Sequence, residues 1–513
     1  MKAPISRVGE AFKKIVESER SLLYCALAVG FILAIIQACF SVDLFRDSAN
    51  VYAPMVRALA NGNYKMAFHP GIPLLNVILS APFSGLGVPP EKALSLVSGL
   101  FYVATIFFVY LLLSVFLPRR LASFGSLCFA CAPKIIRFSC SALIDSGKIF
   151  FITAALFFLV RIILEKYKSW KHAALFGLML GGMSLARSEG VGNAVVLFGC
   201  LGLYYLVDSL RERTLQPIRS VLVPIPIWSV CILLRALTNW RFCGVFAFDA
   251  RISSGLSQLF GAGSSASANA ATATAAGVPR VSYADLFNQY VRGSYELYLF
   301  LSIVGLLLVL VNAADFSRKL WPDKEKPVFL QWNRLYWIFF LVPISNALIF
   351  KASDIAAYRY FLLNIPCMML FTVIAALWIW KWSIRFLPAV IPATAALVIL
   401  FCQTQNGASR FFSADAKRHY ETGKRVGALL EAEKNTAKVW FFRACPEWYF
   451  SETIRAVPFE TAQPDAQSFK DFDYVLWSEE QDDFEILKAR ADLREIPLAE
   501  AGSVHLYKRI DLE

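Results

Sequence analysis

The chain has 513 residues, of which 57% are hydrophobic, 14% aromatic and only 17% charged. A soluble domain carries about 25% charged residues, and here the apolar residues gather into runs near the roughly 20 needed to cross a bilayer. The composition therefore excludes an ordinary soluble enzyme, and the net charge of +13 does not argue for nucleic acid, because the basic residues recur in short loops between apolar runs.

Residues 1–20 form a basic amino-terminal segment with Lys2, Arg7, Lys13, Lys14 and Arg20. The apolar run 21–42 behind it is too long for a signal-peptide core and lacks a small-x-small cleavage site, so it reads as an uncleaved first span. Further spans are expected at 92–117, 121–138, 147–164, 172–189, 191–207, 219–238, 296–313, 334–350, 359–380 and 386–404, about eleven in all. The basic loops at 118–120, 165–171, 208–219 and 315–327 fall on the side of the amino terminus, which the positive-inside rule makes the cytoplasm. The outer loops 43–90 and 239–295, the turn before Asp145 and the loop 351–358 then face a periplasm or lumen. Within 239–295, "AGSSASANAATATAAG" (262–277) lacks bulky and charged residues and is expected to be a mobile tip.

Residues 412–513 carry 14 Lys/Arg against 20 Asp/Glu, which reverses the charge balance of the rest. Strands expected at 438–442, 473–478 and 503–510, with a helix at 415–434, give a small α/β domain outside the membrane. Residues 21–411 then make up the transmembrane domain. Most of the eleven cysteines lie inside apolar runs, where Cys behaves as a small hydrophobe. Cys128 and Cys131 have CxxC spacing but no βαβ context, so a redox role is not expected.

Candidate chemistry lies at the outer boundary. Arg46 and Asp47 follow the first span, and Val51, Met55 and Leu59 after them sit four apart, the pattern of a surface helix that Pro54 must enter in its first turn and Gly62 ends. Asp47 reads either as a helix cap or an acid paired with Arg46, or as a functional carboxylate. Arg137, Asp145 and Lys148 lie near the same face, where an ionisable residue is costly and tends to line a site; capping by Asp145 and snorkelling by Lys148 are the structural readings. In "LARSEG" (185–190), Arg187 and Glu189 are two apart; on a helix they would not face each other, so each needs another partner. Arg359 opens the tenth span, and its planar fork suits a phosphate, although Tyr358, Arg359 and Tyr360 also suit interfacial anchoring. His69 in "FHPGIPLL" could ligate a metal, but four histidines, with His172 on the opposite side, build no protein-only cage. A divalent cation shared by Asp47, His69 and a substrate phosphate is the arrangement left open. No Gly-rich phosphate loop, nucleophile elbow or HExxH spacing is present.

The order of these pieces resembles the GT-C class of membrane glycosyltransferases, specifically the protein O-mannosyltransferase and aminoarabinose-transferase-like superfamily. The likeness runs from an acid just after span one, through "HPGIPLLNVILSAPFSGLG" and "ACAPKIIRFSCSALIDSGKIFFITAALFFLV", to "LFGLMLGGMSLARSEG", and resumes at "YRYFLLNIPCMML". It implies a GT-C-like polytopic α-helical membrane fold and an enzyme that takes a sugar from a polyprenyl-phosphate donor to a glycolipid, glycan or protein acceptor on the outer side of the bilayer. It also implies Asp47 as catalytic base and Asp145 as the second acid, and the hypothesis adds Arg359, with Arg137, Arg187 or Lys148, at the donor phosphate. Arg46, Tyr52 and His69 are candidate substrate contacts. The family's first acidic pair is Asp47-Ser48 here, and its Pro-Pro is replaced by His69-Pro70-Gly71. The transfer would be inverting. The outer α/β domain and the lack of an evident retention signal favour a bacterial inner membrane. A transporter or flippase of lipid-linked sugars is the alternative from another class, disfavoured because the halves show no internal repeat; a glycan polymerase or ligase shares the donor chemistry.

Overall fold

The structure, a computed structural model, describes residues 21–40, 47–213, 216–248, 282–311, 335–352 and 358–412 and, beyond these, 420–421, 425, 428, 439–441, 474–478, 493–496 and 504–509. The amino-terminal segment, Arg46, the loop tip 262–277, the basic loop 315–327 and most of the helix expected at 415–434 lie outside the described residues.

The chain is a polytopic helical membrane protein. Among the described residues seven helices are long and apolar enough to cross a bilayer: α1 (Ser21–Phe40), α4 (Pro90–Phe116), α7 (Asp145–Leu164), α9 (Gly190–Glu212), α10 (Arg219–Cys243), α14 (Asn364–Ser383) and α15 (Val390–Ser409). Between α1 and α4 come α2 (Ala53–Ala60) and α3 (Leu75–Gly85). Two more candidate spans are bent pairs: α5 (Arg119–Ala130) with α6 (Pro133–Ser139), at 62°, and α11 (Tyr283–Ser294) with α12 (Glu296–Val311), at 90°. The spans expected at 172–189 and 334–350 are α8 (Trp170–Ala186) and α13 (Tyr336–Ala352), each 17 residues long.

The expected straight span 121–138 is thus broken, and chemistry explains where. Pro133 has no N–H to donate and pushes the residue before it out of the helical region; Ala132 has φ −67° and ψ 119°. Two carbonyls in the turn before the break find new donors, the Tyr298 hydroxyl to Cys128 at 2.6 Å and the Tyr102 hydroxyl to Ala130 at 2.5 Å. Unsatisfied carbonyls inside a membrane cost several kcal/mol, so these tyrosines make the break tolerable. Likewise the outer loop 239–295 is not all loop. Ser282 caps α11 by accepting from the Asp285 N–H at 3.0 Å, and α11 ends at Tyr295, whose φ of 61° turns the chain into α12.

Helices pack along close seams, α7 on α8, α1 on α4 and α12 on α14. At the last of these, a Cβ added to Gly305 would meet the Phe371 carbonyl oxygen at 2.0 Å, so only glycine lets the backbones approach this closely. The carboxy-terminal region holds a four-stranded sheet of β1 (Val439–Phe441), β2 (Tyr474–Ser478), β3 (Leu493–Ile496) and β4 (Val504–Arg509), in the order β1-β2-β4-β3. β1 runs parallel to β2, and β4 is antiparallel to both β2 and β3. β3 was not expected from the sequence: "LREI" is too short and too charged to register as a strand.

Candidate functional site

Up-and-down threading decides what meets what. α7 begins, α8 ends and α9 begins at one end of the bundle, so Asp145, Arg187 and Glu189 gather there. The basic stretches 118–120, 165–171 and 208–213 follow α4, α7 and α9 at the opposite end. The 3₁₀ turn Tyr358–Phe361 ahead of α14 brings Arg359 and Tyr360 to the same place.

Asp47 stands before a π-helical turn, Ser48–Tyr52, that leads into α2. Its carboxylate does not cap that turn; it forms an ion pair with the Arg359 guanidinium. Pro54 sits in the first turn of α2 and Gly62 follows its end at φ +73°, as expected for this segment. The neighbouring Ser48 hydroxyl donates to the Ala142 carbonyl at 2.6 Å, and Ser98 to the Leu143 carbonyl at 2.5 Å. These bonds hold the 140–144 turn that delivers Asp145.

Arg187 and Glu189 do face each other, contrary to the helical expectation. Arg187 leaves α8 in an extended conformation, φ −153° and ψ 142°, so the two side chains are not on one helix. Arg187 Nε and Nη2 donate to the two Glu189 oxygens, both at 3.3 Å, and Nη1 lies 3.4 Å from Asp145 Oδ1. Burial alone would raise the Glu189 carboxyl, but Arg187 and then Lys148 hold it down at about 2. Asp145 Oδ2 is buried and has no hydrogen-bond partner.

Lys148, 4% exposed, donates to Asn346 Oδ1 at 3.0 Å and lies 5.2 Å from the Phe350 ring centroid. Asn193 reaches the same oxygen at 3.5 Å, and Asn346 donates to the Tyr360 carbonyl at 3.2 Å. The Tyr360 ring lies beneath both guanidiniums, 4.7 Å from Arg187 and 5.1 Å from Arg359. Asp145, Lys148, Arg187, Arg359 and Tyr360 line one narrow recess, with Ile149 and Leu363 as its apolar wall; it has room for a group of about the size of one water. Tyr52 is buried beside these charges. Burial pushes its hydroxyl above the usual range, Arg187 opposes this, and Asp47 and Asp145 add to it, so Tyr52 is a neutral hydrogen-bonding group.

Not every expected residue joins the recess. Arg137, on α6, lies 5.2 Å from the Phe138 ring and does not line it. His69 is exposed and its Nδ1 accepts from the Gly71 N–H at 3.1 Å. Arg46 is outside the described residues. Among the described residues no group of three or more His, Cys, Asp or Glu side chains could hold a metal ion. Tyr360, Asn346 and Glu189 were missed as site residues; the signal for Asn346 was a lone amide in the apolar run "LVPISNALIF".

Residues 69–234 match the family described as dolichyl-phosphate-mannose-protein mannosyltransferase. No curated protein matches the chain. Among solved structures, the ArnT of Cupriavidus metallidurans bound to undecaprenyl phosphate is similar, with 14% identity, a TM-score of 0.59, and 96% of this chain and 99% of that one covered. Its apo state matches at 11% identity and TM-score 0.58, over 95% of this chain and 98% of that one. The Archaeoglobus fulgidus oligosaccharyltransferase in the apo form has 12% identity and a TM-score of 0.52, over 90% of this chain and 70% of that one.

Proposed function

We propose that this chain, a polytopic membrane protein with the GT-C fold and a mannosyltransferase-family segment, is a glycosyltransferase using a polyprenyl-phosphate-linked sugar. The observation that carries the reading is the Asp47–Arg359 ion pair beside a recess lined by Lys148, Arg187 and Asp145. A base and a phosphate-type cation stand together, on a fold shared with a protein bound to undecaprenyl phosphate.

The chemistry follows from what each group can do. Donor phosphate oxygens compete with Asp47 for the Arg359 fork, which frees the carboxylate where the acceptor hydroxyl must lose its proton. Asp47 takes that proton, the hydroxyl oxygen bonds to the anomeric carbon, and the carbon–oxygen bond to the phosphate breaks with its electron pair leaving on the phosphate. Arg359 offsets that charge. Attack opposite the leaving group inverts the anomeric centre. A positioned base contributes roughly 10²–10⁴-fold, and charge stabilisation at the leaving phosphate contributes at least as much. Arg187 is already engaged by Glu189 and Asp145, so it shapes the site and Arg359 is the principal phosphate ligand. The basic loops at the other end of the bundle support a site on the periplasmic or lumenal side, and a bacterial inner membrane fits the acidic carboxy-terminal region.

Mass spectrometry of lipid-linked sugars and envelope glycans, in cells with the wild-type chain, no chain or Asp47→Asn at matched expression, tests this. A glycan should vanish without the chain and stay absent with Asp47→Asn, while a polyprenyl-phosphate sugar accumulates. Full restoration by Asp47→Asn would remove Asp47 from the mechanism and bring the transporter reading forward.

A further inference from the structure

Two polar groups in the recess are left with unused hydrogen-bonding capacity. Lys148 Nζ has three donors and one hydrogen bond, to Asn346. Asp145 keeps Oδ1 near Arg187 but has no partner on Oδ2. Both residues are almost wholly buried, at 4% and 5% exposure, and both line the recess. A buried carboxylate oxygen without a partner costs more than an ordinary hydrogen bond returns, so Asp145 Oδ2 is poised to accept a hydrogen bond from a group that enters the recess.

A group that bridges the two must accept from an ammonium and donate to a carboxylate. A phosphate oxygen accepts but cannot donate, and it would be driven against Asp145. An ammonium donates but would sit beside Lys148, Arg187 and Arg359. A hydroxyl meets both requirements without adding charge, and the narrow recess admits one such group. Resting on the glycosyltransferase reading above, we infer that Asp145 and Lys148 form a subsite for a hydroxyl of the donor sugar. They select a neutral hydroxylated sugar over an amino sugar, and Lys148 is a specificity residue rather than a phosphate ligand.

The test measures donor binding without acceptor. The full chain in nanodiscs is titrated with undecaprenyl phosphate, with undecaprenyl-phosphate mannose, glucose and galactose, and with analogues of these in which one hydroxyl is replaced by an amino group. One hexose should bind roughly ten-fold to a hundred-fold tighter than the bare lipid phosphate, the gain expected of hydrogen bonds to charged groups, and its analogue with an amino group in place of the recognised hydroxyl should show no such gain. Removing one particular hydroxyl of that hexose should abolish the gain, a result that needs no variant to fold. Asp145→Asn should abolish it too, with affinity for bare undecaprenyl phosphate undiminished. A ten-fold loss of bare lipid phosphate affinity in Lys148→Gln overturns the assignment, as does a gain that survives every single deoxygenation. Binding of undecaprenyl phosphate with no gain from any hexose defeats the subsite alone, whereas no binding of any polyprenyl phosphate defeats the glycosyltransferase reading beneath it.

Discussion

A carboxylate that takes a proton must be free of its cation when the proton moves, and Asp47 rests against Arg359. Their side chains are 28% and 18% exposed, enough for water to weaken the pair and for a phosphate to displace the acid. Two substitutions should therefore separate in kinetics. Arg359→Lys keeps the charge but loses the fork, and should raise the KM for the lipid donor roughly ten-fold or more. Asp47→Asn should leave donor binding intact and lower kcat by roughly 10²–10⁴-fold. Equal losses of kcat and unchanged KM in both would assign the pair to structure. Glu189 makes a pH prediction. Its carboxyl is held near 2 against a usual 4.5, and a depressed carboxyl stabilises the fold fully above the usual value and loses that contribution as pH falls toward the depressed one. Thermal unfolding in detergent should show wild-type Tm falling across that window. Glu189→Gln should start lower at pH 7 and show a shallower acid limb; parallel curves would contradict the network. The residue types at the site were legible, because ionisable groups at span ends stand out against apolar runs. Their pairing was not: Asp47 and Arg359 are 312 positions apart, and no local pattern joins them.

Elements carry the site by being interrupted at particular places. The turn bearing Arg359 leans on α11, where a Cβ on Gly293 would meet the Tyr358 carbonyl oxygen at 2.2 Å and Phe361 Cβ at 2.5 Å. Gly293→Ala should push that turn and lower turnover at least ten-fold, since small displacements of a reacting group cost heavily. Gly199→Ala on α9, which meets nothing within 4 Å, should leave activity unchanged. At the α5–α6 break, Tyr298→Phe leaves the Cys128 carbonyl without its donor and should destabilise the fold by about 1–3 kcal/mol, visible as a lower Tm. Hydropathy located α5 and α6 but read them as one straight span, because apolar periodicity does not register a bend. "CAPK" around Pro133 held the signal. α11 was hidden for the opposite reason: its apolar face is only Leu286 and partly buried Tyr290 on Phe350 and Phe361, too small to stand out within a long polar segment.

At the scale of the whole molecule, the length a helix needs to cross lipid is the strongest constraint on this chain, which is why each expected span finds a helix among the described residues. The number of crossings among the described residues is set by whether the bent pairs and the two 17-residue helices traverse the bilayer. Its parity is steadier. The seven long helices among the described residues make an odd number, and adding both bent pairs, or the bent pairs and both shorter helices, keeps it odd. From that odd count and from the Lys and Arg of 118–120, 165–171 and 208–213 we propose that residue 513 lies across the membrane from residue 21, with the near side in the cytoplasm. Reporter fusions in a bacterial host decide the matter. Alkaline phosphatase should be inactive after Lys168 and active after Glu513, with a fluorescent protein giving the reverse pattern. Activity at both positions, or at neither, would mean that just one of the doubtful segments crosses or that the chain is otherwise threaded. Activity after Lys168 and none after Glu513 would invert the chain and turn the recess toward the cytoplasm, where the donor and acceptor proposed here would have to be sought instead.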